Sequence, residues 1–209
     1  MCVSLTLMPN RSACLPEVIA YARHVSGSRN ARESNLLGAL SLSLADRVRE
    51  ATERVAGHGG GGPAALVALQ EFLGGGSMDD LHNVLGLTPS GAVRLVDRLA
   101  DDGYVERRAG ANGRSVALVL TPRGRRAAGR IRAARREAIE GVLATLPRAD
   151  REALARITER LLQAVTAERL ARRRDGESPA GGWLCRLCDF DACGRERGAC
   201  PAEQEARGQ

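Results

Sequence analysis

The sequence contains no lysine and few aromatic side chains, and both absences limit what the protein can do. All 31 of its basic residues are arginine, and its aromatic residues are two phenylalanines, two tyrosines and one tryptophan. Single-stranded nucleic acids are usually bound by stacking bases on aromatic rings, so this composition argues against that class of ligand. Arginine alone supplies the positive side of a net charge of +6. It binds phosphate and guanine edges well, although a GC-rich genome also favours arginine codons.

Long apolar runs are also absent, because no stretch approaches the roughly 20 residues that are needed to cross a bilayer. The first ten residues lack a basic start and are interrupted by Pro9, so they make a poor signal peptide. These absences predict a cytoplasmic protein. In a reducing compartment, the four cysteines between residues 185 and 200 indicate metal or redox chemistry rather than a disulfide scaffold.

The spacing of apolar residues predicts a mainly helical chain in three parts. Residues 1–34 show no sustained period and are expected to form an irregular N-terminal arm. Residues 35–173 carry apolar side chains at three- and four-residue spacing, which is typical of amphipathic helices. The predicted helices are 35–56, a short one from Pro63, 78–85, 89–101, 122–144 and 148–173. Residues 174–209 are expected to form a linker and a cysteine-rich, metal-binding tail.

Residues 77–121 predict two short helices followed by a β-hairpin. Ser77 and Asp80 match a capping box, Gly86 suits a helix end, and Thr88-Pro89 starts the next helix. Two alternating segments, Tyr104 to Arg107 and Val116 to Leu120, flank turn residues 110–113. This order is that of a winged helix-turn-helix, whose second helix enters the major groove of duplex DNA.

In this arrangement the first turn of the second helix faces the base edges. The candidate base-reading residues are Thr88, Ser90, Gly91 and Arg94. Arg98 is expected to pair with Asp101 or Asp102 instead.

The charge of the wing differs from that of the helices before it. Residues 77–103 carry five aspartates and two arginines, whereas residues 104–136 carry ten arginines and one carboxylate, Glu106. The hairpin therefore predicts phosphate or minor-groove contacts. Its candidate DNA-binding residues are Arg107, Arg108 and Arg114.

The motifs LTPSGAVRLVDRL (87–99) and LTPRGR (120–125) resemble those of the MarR (multiple antibiotic resistance regulator) family, and the resemblance covers roughly residues 36–172. Family members usually carry Asp-x-Arg in the wing, where this sequence has Asn112-Gly113-Arg114. The resemblance implies that Arg114 contacts DNA and that Asn112 takes the place of the acidic residue beside it.

The same resemblance implies a homodimer joined by its N- and C-terminal helices. Two-fold symmetry would then require a pseudo-palindromic operator on double-stranded DNA. Many relatives bind small, often aromatic or phenolic, effectors near the dimer interface, and nothing in this sequence identifies such a ligand or decides between repression and activation. The expected protein is thus a dimeric, sequence-specific transcriptional repressor rather than an enzyme.

Cys185, Cys188, Cys193 and Cys200 follow the spacing C-x2-C-x4-C-x6-C, which MarR relatives ordinarily lack. Four thiolates so close in sequence can enclose one Zn²⁺ ion. An iron-sulfur cluster is an alternative, since all four ligands are cysteines and the last precedes a proline. Redox-active thiols without metal are a third. Because the tail follows a dimerisation helix, loss of metal or thiol oxidation is expected to change DNA affinity.

Two other function classes stay open. Cys185 and Cys188 form the C-x-x-C pattern of a thiol-disulfide oxidoreductase, although such pairs normally start a helix in a βαβ setting. A scaffold protein that binds no DNA is the other alternative, and the wing arginines argue against it. A disulfide-reductase assay and a duplex-binding assay distinguish the three.

Overall fold

The computed structural model describes residues 30–110, 116–177 and 181–208. Of these residues, 30–45 belong to one compact unit and those from 46 onward to a second. No helix within these described ranges is long and apolar enough to span a membrane.

The described residues are mainly helical and include one two-stranded antiparallel sheet, which confirms the predicted fold class. The helices are α1 (Asn30–Ala56), α2 (Gly62–Glu71), α3 (Met78–Leu85), α4 (Pro89–Asp101), α5 (Pro122–Leu143), α6 (Arg148–Arg174), α7 (Phe190–Cys193) and α8 (Pro201–Arg207). The strands are β1 (Val105–Ala109) and β2 (Val116–Leu120), and a single 3-10 turn spans Leu184–Leu187.

Local capping signals set the ends of the helix-turn-helix. The Ser77 hydroxyl accepts the Asp80 N–H at 3.1 Å, while the Asp80 carboxylate accepts the Ser77 N–H at 2.9 Å. Gly86 ends α3 in the left-handed conformation, with φ of 65°. Thr88 then caps α4, with Pro89 in its first turn. The predicted bounds of α3 and α4 are therefore confirmed, because side chains within a few residues determine them.

The beginning of α1 differs from the prediction, since the helix starts at Asn30 rather than at residue 35. The added residues include Ala31, Arg32 and Glu33, which have high or moderate helix propensity. Glu33 also places a negative charge in the first turn, where it interacts favourably with the helix dipole. The amphipathic period begins only later, so a prediction based on that period missed this turn.

One core joins the helix-turn-helix to the wing. Leu66, Leu81, Leu99, Leu118 and Ile131 are each less than 2% exposed, and they come from α2, α3, α4, β2 and α5 respectively. Burying a side chain of this size contributes roughly 1.5–3 kcal/mol. The orientation of α4 relative to the wing is therefore fixed by packing.

The buried face of α4 consists of Ala92, Leu95, Val96 and Leu99. Leu95 is only 3% exposed, whereas Val93 is 43% exposed. At about 100° per residue, Leu95 lies about 40° from Leu99 on the helix surface, while Val93 lies about 60° beyond Val96 on the other side of the buried face.

The wing is a regular hairpin in its described part. Val105 pairs with Leu120, Arg107 with Leu118 and Ala109 with Val116. β1 thus runs two residues past the predicted end at Arg107, because the cross-strand ladder continues to Ala109. The Gly75 N–H donates to the Leu118 carbonyl at 3.1 Å, and the Leu118 N–H donates to the Gly76 carbonyl at 2.9 Å. These bonds attach the glycines before α3 to β2.

Residues 181–208, called the cysteine module below, fold onto the rest of their compact unit. The 3-10 turn packs against α2, and α8 packs along α6. Leu187 contacts the apolar core of the winged helix. The helices α7 and α8 were not predicted from the sequence, because each is too short to show a repeating apolar pattern.

Candidate DNA-binding site

The first turn of α4 is open to solvent and collects the four predicted base-reading residues. Thr88 Oγ1 accepts the Gly91 N–H at 3.1 Å and lies 3.4 Å from Ser90 Oγ. Arg94 Nε lies 3.4 Å from the Ser90 carbonyl oxygen. Thr88, Ser90 and Arg94 are exposed, while Gly91 is half-buried. This turn therefore offers two hydroxyls and one guanidinium to an incoming ligand.

The two described wing arginines bind carboxylates within the same unit. Arg107 Nη2 lies 2.5 Å from Asp97 Oδ1 of α4. Arg108 Nη2 lies 2.9 Å from Glu106 Oε2 on its own strand. All four side chains are at least 36% exposed, so the guanidinium groups stay accessible. The Arg107–Asp97 pair connects the wing to α4, the helix that is predicted to enter the major groove. The Arg108–Glu106 pair lies on the opposite face of β1.

Two predicted wing residues, Asn112 and Arg114, lie outside the described residues, as does Gly113 between them. Arg98 is described, and the predicted pairing with Asp101 or Asp102 is wrong, since neither ion pair forms. Asp102 Oδ2 instead lies 3.4 Å from Nε2 of His58. That histidine also contacts Tyr104 edge-on, at 5.2 Å between ring centroids.

Part of the basic run after the wing is structural. The Arg123 guanidinium lies over the Tyr104 ring, 4.6 Å from its centroid. Arg125 Nη1 donates to the Leu120 carbonyl at 2.8 Å. These contacts attach the first turn of α5 to the wing, so the number of arginines overstates the charge that is free for phosphate.

The predicted metal ligands come together in the cysteine module. Cys185 lies within the 3-10 turn, and Cys188 follows it and donates its N–H to the Cys185 carbonyl at 2.9 Å. Cys193 ends α7, after which Gly194 adopts φ of 71° and reverses the chain. Cys200 directly precedes α8. All four are free thiols.

The thiols perturb one another. Hydrogen bonding to Cys188 lowers the pKa of Cys185 to about 6, with a further contribution from Arg195. The same hydrogen bond, together with burial, raises the pKa of Cys188. Burial raises the pKa of Cys193, which also interacts with Cys200. The four thiols thus form one interacting cluster, although no three His, Cys, Asp or Glu side chains within the described ranges form a preformed metal cage.

Two aromatic residues of the module stack on the winged helix. The rings of Trp183 and Phe190 both stack against Phe72 at the end of α2. The centroid distances are 5.9 and 5.3 Å, with interplanar angles of 6° and 4°. In a chain with five aromatic residues, the two rings beside the cysteines were the available sequence signal for this contact.

The fold and the site geometry define a winged helix-turn-helix protein. Its solved structural neighbours include MarR-family proteins, which confirms the predicted resemblance. A MarR-family protein from Mycobacterium tuberculosis is 27% identical, with a TM-score of 0.52, covering 64% of this chain and 96% of that one. One from Bacillus stearothermophilus is 25% identical, with a TM-score of 0.58, covering 65% and 94% respectively.

A third neighbour is a mutant of MepR from Staphylococcus aureus, whose structure is bound to an oligodeoxyribonucleotide. It is 16% identical, with a TM-score of 0.51, and the match covers 64% of this chain and 97% of that one, so it supports the fold alone. No family model matches the sequence. A search of curated proteins also found no match.

Proposed function

We propose that this protein is a dimeric transcriptional repressor that binds double-stranded DNA in a sequence-specific manner. The observation that carries the proposal is the exposed first turn of α4, which presents Thr88, Ser90 and Arg94 beside an arginine-bearing wing. An arginine in this position can bind a guanine edge with two hydrogen bonds. The MarR-family neighbours support the assignment to DNA-binding regulation.

The surface of α6 supports the proposed homodimer. Leu154, Ile157, Leu161 and Val165 are between 36% and 52% exposed and recur at three- and four-residue spacing. They therefore form one apolar stripe along α6. A single chain gains nothing by leaving this stripe in water, whereas a second copy can cover it with its own stripe across a two-fold axis.

The dimer defines the kind of DNA site. Two copies of α4 related by two-fold symmetry read two half-sites about one helical turn apart, so the operator is pseudo-palindromic. The small-molecule effector remains a prediction. A groove between α1 and α5 is lined by Arg47, Glu50, Arg54, Glu137 and several small apolar residues. This charged lining does not identify a particular ligand.

The test selects binding sites from random duplexes with the full-length protein and then measures affinity by fluorescence anisotropy at several salt concentrations. We expect a pseudo-palindromic consensus, one dimer per site and an affinity that falls steeply with salt. Binding that ignores sequence, or the absence of binding at low salt, would refute sequence-specific recognition.

The second candidate is the thiol-disulfide oxidoreductase, which the lowered pKa of Cys185 favours. It predicts reduction of insulin disulfides that is lost in Cys185→Ser. The parent protein distinguishes the two functions, because a regulator binds its operator without reducing insulin, whereas an oxidoreductase reduces insulin and need not bind any DNA sequence.

A further inference from the structure

We propose that Cys185, Cys188, Cys193 and Cys200 bind one zinc ion, and that this ion holds the cysteine module against the turn of the helix-turn-helix. The zinc site concerns the module alone. Its effect on operator affinity rests on the proposed DNA-binding function. The proposal follows from the arrangement of the thiols, from the charges around them and from the contacts through which the module meets α2 and α3.

The donor set suits a tetrahedral ion. Two loops each present a pair of thiols, Cys185 with Cys188 and Cys193 with Cys200, and thiols within each pair interact directly. Cys193 also interacts electrostatically with Cys185, across the two pairs. Cys185 lies within the 3-10 turn, Cys188 follows it, Cys193 ends α7 and Cys200 directly precedes α8, so one short module presents all four thiols.

Four cysteine thiolates in one short segment are a donor set that structural zinc takes, with Zn–S bonds of about 2.3 Å. An iron-sulfur cluster takes the same four cysteines, and the visible spectrum in the experiment below distinguishes the two.

The surrounding charges favour the product of zinc binding. Four thiols release four protons to water and form a zinc-tetrathiolate centre with a net charge of −2. Arg195 Nη1 lies 4.0 Å from Cys185 Sγ, and Arg135 of α5 acts electrostatically on Cys188. Two guanidinium groups therefore act against the negative charge that a partly buried dianion would carry. Glu203, whose carboxylate lies 3.6 Å from Arg195 Nε, acts on Cys185 in the opposite direction.

The module meets the helix-turn-helix at a close backbone contact. The Trp183 N–H donates to the Val84 carbonyl at 2.7 Å. Gly182 and Gly86 face each other, and a Cβ at Gly182 would lie 2.5 Å from the Val84 carbonyl oxygen. A Cβ at Gly86 would lie 2.4 Å from the Gly182 nitrogen. Arg169 of α6 donates to the Gly182 carbonyl.

A second contact attaches the module to α2. The Glu71 carboxylate is only 7% exposed and accepts the Phe190 N–H at 2.8 Å. Arg132 of α5 binds Glu71 at 2.8 Å and Asp189 at 3.5 Å. Phe190 is three residues from Cys193, so zinc at the cysteines would fix both the ring that stacks on Phe72 and the backbone that binds Glu71.

The two contacts connect the cysteines to the DNA-reading element. Gly86 lies in the turn between α3 and α4, two residues before the Thr88 cap. A module without its ion loses the cross-link that orders Trp183 and Phe190. The turn then loses its external support, and α4 is presented less rigidly to DNA.

The experiment uses the full-length protein, with zinc measured by mass spectrometry, a visible spectrum, operator affinity and hydrogen–deuterium exchange at residues 84–88. The ligand variant is the double change Cys185→Ser and Cys188→Ser. Its matched control is Cys2→Ser with Cys14→Ser. Gly182→Val blocks the backbone contact while keeping all four thiols, and Arg169→Gln weakens the same contact in case the valine prevents folding.

We expect one zinc per chain in the parent, the control and both docking variants, and none in the ligand variant. Exchange at residues 84–88 should rise at least ten-fold in the ligand and docking variants, and operator affinity should fall by about ten-fold. Visible absorption bands with bound iron, or colourless protein without stoichiometric metal, overturn the zinc site. Unchanged exchange after zinc loss overturns its coupling to the turn. Failure of the parent to bind any duplex overturns the proposed function instead, while zinc content and exchange still decide the site.

Discussion

Arg107 of the wing and Asp97 of α4 form an ion pair, with Nη2 and Oδ1 2.5 Å apart. The pair joins the two elements that are proposed to bind DNA, and it ties up one wing arginine while no DNA is present. Because both side chains are substantially exposed, the pair contributes little to stability, about 0–1 kcal/mol. Its main effect is on the charge and orientation of the DNA-facing surface.

Asp97→Asn should therefore strengthen binding to non-specific duplex DNA. The change removes a negative charge that faces phosphate and frees Arg107 to bind it, so we expect about three- to ten-fold tighter binding at low salt. Anisotropy titrations at several salt concentrations measure the effect, which should shrink as salt rises. Asp150→Asn makes the same charge change at the start of α6 and should leave affinity unchanged. Weaker binding by Asp97→Asn would mean that the carboxylate positions Arg107 for DNA.

Arg94→Ala tests base reading by the exposed turn of α4. Loss of a bidentate guanine contact should cost about 1–3 kcal/mol at the selected operator and relax selectivity at one base position. Repeating the site selection with the variant measures both effects. Arg148→Ala removes another exposed arginine, from α6, where it pairs with Glu152, and should change affinity less than two-fold. An equal loss on specific and random DNA would assign Arg94 to phosphate binding.

Leu161→Asp tests the apolar stripe of α6. A carboxylate there would be buried without a partner in the dimer, so we expect monomers at micromolar concentration and at least a hundred-fold loss of operator affinity, on the order of 3 kcal/mol. Light scattering after gel filtration gives the mass. Ala155→Asp adds the same charge to an exposed position off the stripe and should remain dimeric. A dimeric Leu161→Asp protein would exclude this stripe as the interface.

Asp80→Asn tests the capping box of α3. The Ser77 backbone and hydroxyl hydrogen bonds lower the pKa of Asp80 below its ordinary value of 3.8. The folded state therefore favours the ionised carboxylate, which stabilises it above about pH 3.8 and ceases to do so as pH falls through the lowered pKa.

We expect Asp80→Asn to lower the free energy of unfolding by about 1 kcal/mol at pH 7. The difference from the parent should shrink as pH falls below 3.8. Urea titrations across this range measure it. Asp79→Asn changes the neighbouring acidic residue, whose side chain is 88% exposed, and should have a smaller effect. A pH-independent difference would show that the ionised carboxylate is not what stabilises the cap.

The sequence was sufficient wherever structure depends on neighbours along the chain. Ser77, Asp80, Thr88 and Pro89 set the ends of α3 and α4 through contacts that span no more than three residues. The order of helices and strands then identified the winged helix. The exposure of the first turn of α4 followed from that order, because an amphipathic helix that faces DNA on one side buries the other side in the core.

Contacts between distant residues were not predictable in this way. The Phe190 N–H binds a carboxylate that is 119 positions away in sequence, and no periodic pattern links the two. Gly182 lies in the range 174–209, which was expected to form a linker and a tail, and nothing in the sequence indicates that its missing side chain permits close approach to Val84. Arg107 was expected to be free for DNA, because nothing in the sequence shows that Asp97 faces it.

The stacking of Trp183 on Phe72 has a practical consequence. Trp183 is the only tryptophan in the chain, and its ring lies between Phe72 and the Arg173 guanidinium, which is 5.4 Å from the ring centroid. Its intrinsic fluorescence is therefore a built-in reporter of whether the cysteine module is seated, without any label. Emission that moves to longer wavelength on chelation would show the module leaving the winged helix in real time, in the same cuvette in which operator is titrated.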